Sequence, residues 1–221
     1  MSGPDPTDLT LDEIRERLGP IIAAGAAFDG WTELAVRQAA QQADIDPDVA
    51  AYAFKGGQMD MIAAWIAHVD SLMAGAFSTE QLAQLKIRER ILQLVRFRLE
   101  AISDQDESVR RALAILAMPH NLARSARLGW HSADQMWRLA GDTSTDYNYY
   151  SKRMILAGIY SATLAVFVDD RSPDKSETLA FLGRRIDGVM RFEKAKARWA
   201  GSAQGGFSVA RFLGRLRYPA S

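Results

Sequence analysis

Histidine, carboxylate and hydroxyl side chains are the groups through which this chain could do chemistry, and their spacing argues against catalysis. A di-iron centre in a helical bundle needs Glu-x-x-His pairs, because residues three apart present carboxylate and imidazole on one helix face. The three histidines, His68, His120 and His131, instead have Trp65, Ala117 and Leu128 three positions before them. No H-E-x-x-H, GxSxG, GxGxxG or Walker pattern occurs. Cysteine is absent, which excludes a disulfide framework, a thiolate metal site and a cysteine nucleophile. His120 and His131 read as structural residues. A Ser/His/Asp set assembled in space, for instance from His131 to Asp134, stays open, and nothing in the spacing favours it. The expectation is no catalytic residue, no metal and no cofactor.

The densest cluster of polar and aromatic types is GDTSTDYNYYSKR, Gly141 to Arg153, with three tyrosines, two aspartates and a basic pair. With Ser144 or Thr145 as N-cap and Asp146 in the first turn, where the helix dipole favours an acid, the stretch opens a helix. Tyr147, Tyr150, Met154, Ala157, Ser161, Leu164 and Val168 recur three and four apart and are expected to form a core or dimer seam. Tyr149 falls off that stripe, with Lys152 and Arg153 at helical spacing from it. Two readings follow: an aromatic anchor for a protein partner, or a ring stacked on Arg153 of its own helix.

The elements that must position these residues are helical, and no alternating strand pattern is convincing. Thr10 with Glu13 and Ser132 with Gln135 have capping-box spacing, and Gly141 stands where a helix C′ residue belongs. Helices are expected near 10–28 with a bend at Pro20, 32–41, 46–54, 58–76, 79–102, 107–118, 120–140, 146–168 and 175–199, with a short one near 207–217. The stretch Gly201 to Gly206, GSAQGG, reads as a flexible linker to that last helix. The fold class is all-α: a bundle of about nine helices plus a tethered C-terminal helix. A hydrophobic content of 48% is ample for its core.

The segment DIDPDVAAYAFKGGQMDMIAAW has a short helix, an aromatic at its end and a Lys-Gly-Gly turn into a longer apolar helix. In this it resembles the N-terminal part of TetR-type regulators, whose second short helix enters the major groove. Six acids and two bases lie between Asp29 and Asp60, however, a net −4 that repels a phosphate backbone. The architecture reads as inherited and its DNA function as lost, so no nucleic-acid partner is expected.

The segments ILAMPHN, DQMWRLAGDTSTDYNYYSKR and LAGIYSATL resemble the Coq-nine family, lipid-binding accessory proteins of ubiquinone biosynthesis, over about Gly30 to Trp199. The resemblance implies a TetR-like all-α fold that holds an isoprenoid quinone intermediate in an apolar cavity. It also implies presentation of that lipid to a partner hydroxylase of the pathway at the membrane. The family's partner-facing patch falls on Met136, Trp137, Gly141, Asp146, Tyr149, Tyr150 and Arg153. Many relatives have Trp where Tyr149 stands, a departure that bears on the partner and its affinity. Lipid-binding candidates on the apolar faces are Leu113, Leu116, Met118, Trp130, Met136, Ile159, Tyr160, Leu164 and Phe167, each also readable as packed core. Small residues at Ala157, Gly158, Ser161, Ala162 and Ala165 would admit a second helix closely, consistent with a homodimer.

Charge is balanced overall, 27 basic against 27 acidic, but the chain from Arg191 onward carries +6. Val209, Phe212, Leu213 and Leu216 share one face of the tail, with Arg211, Arg215 and Arg217 off it. Such a basic amphipathic helix lies on a membrane surface, bound reversibly, or packs back onto the bundle. The longest uncharged run, Met154 to Val168, is too short to span a bilayer. The opening MSGPDPTDLT lacks a signal core or an Arg-rich transit pattern, and the expected location is the bacterial cytoplasm, peripheral to the inner membrane. The expected domains are a vestigial helix-turn-helix region over 1–60, a lipid-binding and dimerisation domain over 61–200, and a linker with the membrane-binding helix over 201–221. The competing class is a ligand-responsive TetR-type regulator, which salt-sensitive operator binding would reveal.

Overall fold

The computed structural model describes residues 9–145 and 147–205, with the backbone alone for Tyr147 and for 192–205. Among the described residues there are ten α-helices and no strand. One compact unit runs to Leu182 and a second begins at Gly183. The boundary expected at residue 60 is therefore absent, because the N-terminal helices share a core with the later ones.

Helix α1 (Leu11–Asp29) starts at the expected capping box. The Thr10 amide donates to Glu13 Oε2 at 2.8 Å, and the Glu13 amide donates to Thr10 Oγ1 at 3.3 Å. The helix continues through Pro20. Helices α2 (Glu33–Gln42) and α3 (Pro47–Ala53) follow, the latter capped by Asp46, with Pro47 where its missing N–H costs nothing. Gly57, at φ +67°, makes the left-handed turn into α4 (Gln58–Ala76). α1 lies so close to α4 that a Cβ on Gly19 would meet the Ala64 carbonyl carbon at 2.9 Å. In the turn between α1 and α2, Trp31 is buried 5.4 Å from Trp65 and donates through Nε1 to the Ser108 carbonyl at 3.3 Å. Ser108 Oγ in turn donates to the Ala23 carbonyl at 2.7 Å, tying α1 to α7.

The expected helix over 79–102 is two, α5 (Thr79–Ala83) and α6 (Ile87–Glu100). No Gly or Pro marks the break; a side chain stabilises it instead. Arg90 donates to the carbonyls of Ala83 and Leu85, each at 2.8 Å, and to that of Ala140 at 2.7 Å. Those three carbonyls lie at the C-terminal ends of α5 and α8, where helix geometry leaves acceptors without an intrahelical partner.

Helices α7 (Asp106–Leu116), α8 (Leu122–Leu139), α9 (Tyr147–Phe167) and α10 (Ser176–Gly205) complete the order. Ser132 is not a cap: it lies in the middle of α8 and is buried. The 201–205 part of the expected flexible linker is helical, the last turn of α10. Each glycine there costs about 1 kcal/mol relative to alanine, which weakens a helix without forbidding it. The amphipathic segment at 207–217, with Val209, Arg211, Phe212, Leu213, Arg215, Leu216 and Arg217, lies outside the described residues.

Candidate functional site

Helix α8 ends in a Schellman turn. Gly141 adopts φ +83°, its amide donates to the Arg138 carbonyl at 3.0 Å, and the Asp142 amide donates to the Trp137 carbonyl at 2.9 Å. The turn aims Asp142 back at α9, where Arg153 waits, only 1% exposed. Arg153 Nε donates to Asp134 Oδ1 at 2.6 Å, and its Nη1 donates to Asp142 Oδ2 at 2.9 Å and to the Tyr149 carbonyl at 3.1 Å. Lys152 Nζ reaches the other Asp142 oxygen at 2.7 Å, and Ser144 Oγ donates to the same carboxylate. Arg138 adds a bond to Asp134 Oδ2 at 2.7 Å. Trp137 closes the group by donating from Nε1 to the Lys152 carbonyl at 3.0 Å.

These contacts make the polar half of the motif a clasp between α8 and α9. Burial alone would raise the Asp142 carboxyl, but hydrogen bonds from Lys152, Ser144 and Arg153 outweigh it and hold its pKa at about 2, below the ordinary 3.8. Asp134 is likewise lowered, against its burial, by Arg153 and Arg138. A carboxylate with a depressed folded-state pKa contributes stability that is complete above its unfolded pKa and is lost as pH falls through the folded one. For Asp142 that contribution is about 2 kcal/mol, lost between roughly pH 5 and pH 2. Urea unfolding of Asp142→Asn should show a deficit of that size at pH 7 that closes by pH 2; a deficit independent of pH would contradict the assignment.

Tyr149 takes the second of its two readings. It is half-buried, its ring centroid lies 3.5 Å from the Arg153 guanidinium carbon, and its hydroxyl donates to Asp134 Oδ1 at 3.2 Å. Tyr150, placed both in the core-or-dimer stripe and in the partner-facing set, is 58% exposed. It forms an aromatic group with Tyr149, at 5.1 Å, and with Trp130, at 5.9 Å. Of the partner-facing set, Met136 is fully buried and Arg153 is engaged inside the clasp, so neither is available at the surface. Trp137 is half-buried, Gly141 is exposed, and Asp146 lies outside the described residues.

Beside the clasp, α4, α6, α7, α8 and α9 enclose an apolar cavity of about 610 Å³. Five of the expected lipid-binding residues line it: Leu113, Leu116, Trp130, Tyr160 and Leu164. Four do not. Met136 and Phe167 are buried core, Met118 is exposed, and Ile159 is half-buried away from the wall. The stripe read as a core or dimer seam on α9 is not the face buried within the single chain, which is Arg153, Leu156, Tyr160, Thr163 and Phe167. The seam positions Met154, Ala157, Ser161 and Leu164, with Gly158, form the cavity wall, where small side chains leave room. Met154 is 67% exposed, and with the exposed Leu122 it marks the mouth. Unforeseen were Ile62, Trp65, Ile66 and Val69 from α4, and a charged residue, Arg98, from α6.

The geometry has counterparts among known proteins. Residues 122–193, covering α8, α9 and the first part of α10, match the COQ9 family model. The chain is 34% identical over 168 residues to the human ubiquinone biosynthesis protein COQ9, mitochondrial, covering 73% of this chain and 52% of the human protein. It is 34% identical over 200 residues to the rat protein of that name, covering 86% of this chain and 63% of the rat protein. A Dictyostelium discoideum protein named probable ubiquinone biosynthesis protein coq9, mitochondrial, is 25% identical, covering 76% of this chain and 56% of its own. The chain thus spans about half to under two thirds of the length of these relatives. Their mitochondrial names overturn the expectation of a bacterial cytoplasmic location. In fold, the crystal structure of a TetR transcriptional regulator from Nitrosomonas europaea superposes with a TM-score of 0.61 at 20% identity, covering 79% of this chain and 96% of that one. The chain is thus similar in sequence to the COQ9 proteins and shares the TetR-like all-α fold.

Proposed function

We propose that this protein is a non-catalytic accessory protein of ubiquinone biosynthesis that carries an isoprenoid quinone intermediate in its cavity and presents it to a ring hydroxylase. The observation that carries this reading is the apolar chamber of about 610 Å³ with a mouth at Leu122 and Met154. Its volume is that of a ligand pocket, in the range of about 300–1,000 Å³. Each Å² of apolar ligand surface kept from water is worth roughly 25 cal/mol, so a pre-formed apolar chamber can shelter a lipid tail in place of the bilayer. The names of the relatives supply the pathway. The exposed ring of Tyr150, backed by Tyr149 and Trp130, supports a docking surface for the hydroxylase, and the clasp holds that surface rigid. The basic tail supplies membrane contact, and a homodimer completes the reading. The acidic stretch between Asp29 and Asp60 weighs against a DNA-binding regulator.

Organic extraction of protein purified from a quinone-producing host, analysed by mass spectrometry, tests the proposal. An isoprenoid quinone or its precursor should be recovered in near-stoichiometric amount. Protein that is consistently empty, or that stays empty on incubation with quinone-loaded vesicles, would overturn it.

A further inference from the structure

Among the residues that line the cavity, Arg98 alone is charged. It lines an otherwise greasy chamber from α6 and is 2% exposed. Asp70, on α4 and itself buried, pairs with its Nη1. Ser132 Oγ, on α8, accepts from Nη2 at 3.2 Å and donates to Asp70 Oδ2 at 3.2 Å. The Tyr160 ring lies 5.0 Å from the guanidinium carbon. Three helices and an aromatic ring thus fix the guanidinium in place, yet its Nε is buried without any hydrogen-bond partner. A buried donor left unmade is costly, the more so on a charged group, and calls for a partner. Asp70 already neutralises the cation, so a second carboxylate brought to this spot would meet an anion and gain little. A neutral oxygen meets no such penalty.

We propose that Arg98 is the cavity's polar reader: it binds a neutral carbonyl or hydroxyl oxygen on an otherwise apolar ligand and seats that end of the molecule inward, against Asp70, Ser132 and Tyr160. The inference rests on the cavity being the lipid site, and adds which end of the lipid enters and why a plain hydrocarbon or a fatty acid is a poorer guest. Arg98 acts here as a binding residue, with no bond made or broken.

Calorimetric titration of the whole protein, stripped of lipid, with 2-hexyl-1,4-benzoquinone, hexylbenzene and hexanoate separates the possibilities. The quinone should bind at least about tenfold more tightly than hexylbenzene, the value of one added hydrogen bond to a charged donor, and hexanoate should bind more weakly than the quinone. In the double variant Arg98→Met with Asp70→Leu, which removes both buried charges together and so leaves no unpaired ion, the preference should collapse while hexylbenzene binding persists. A second measurement does not depend on that variant folding: in wild-type protein labelled with ¹⁵N-arginine, the Arg98 Nε–H resonance should move on addition of the quinone and stay still with hexylbenzene. Equal affinities of quinone and hexylbenzene, tighter binding of hexanoate, or a motionless Arg98 resonance in quinone-saturated protein would overturn the assignment while leaving the cavity reading intact. Failure of all three compounds to bind would instead bring down the cavity reading, and this one with it.

Discussion

Arg153→Ala is expected to lower the folding stability by roughly 3–5 kcal/mol, because it leaves two largely buried carboxylates without their central partner. Arg153 divides its donors between Asp134 at 2.6 Å and Asp142 at 2.9 Å, while its planar face carries Tyr149. Removal leaves Asp134 with Arg138 and the Tyr149 hydroxyl, and Asp142 with Lys152 and Ser144; the two remaining cations have side chains more than a third exposed. With a total stability of about 5–15 kcal/mol for an ordinary domain, such a loss is a large fraction. Arg153→Lys should fall between, since it restores the charge but not the fork that bridges two acceptors. Urea unfolding followed by circular dichroism at pH 7 measures this directly. A loss under about 1 kcal/mol would mean that α8 and α9 are held by apolar packing and that the clasp is ornamental.

The second large effect is on ligand content rather than stability. Gly158 lines the cavity, and a Cβ placed on it meets no atom within 4 Å. The first carbon of a side chain at Gly158 therefore meets no clash, and in a helix Gly158→Leu gains about 0.5–1 kcal/mol of propensity. The melting temperature should hold or rise while the recovered lipid falls by at least about tenfold, the loss expected when a bulky group displaces a well-buried part of the guest. Loss of both fold and lipid, or full retention of lipid, would show that α9 is not the wall of the site.

Much of the fold was legible in the sequence because helix signals are local. Thr10 with Glu13, Asp46 before Pro47, the Lys-Gly-Gly turn and Gly141 each specify an end through backbone hydrogen bonding within a few residues. What stayed hidden is long-range. The break before α6 depends on Arg90 reaching Ala140, fifty residues on, and no local pattern announces it. The site divides along the same line. The spacing of α9 showed that its residues form faces, but which face is core depends on where α6 and α8 lie. The expected core-or-dimer stripe lies beside the one buried within the single chain, and Tyr150 and Met154 are exposed. Two signals were readable in retrospect: Asp70 interrupts an apolar helix, and Arg98 shares a face with Leu94 and Val95. Opposite charges on two apolar faces suit a buried pair.

Trp130 belongs to two structures at once, since one indole both faces the chamber and stacks against the tyrosines outside. The proposed docking site and the proposed hold are thus separated by the thickness of a single side chain, like rooms with a party wall. Whatever leans on one side of that wall alters the room on the other, so a substitution at this position will be felt twice and cannot serve to tell the two roles apart.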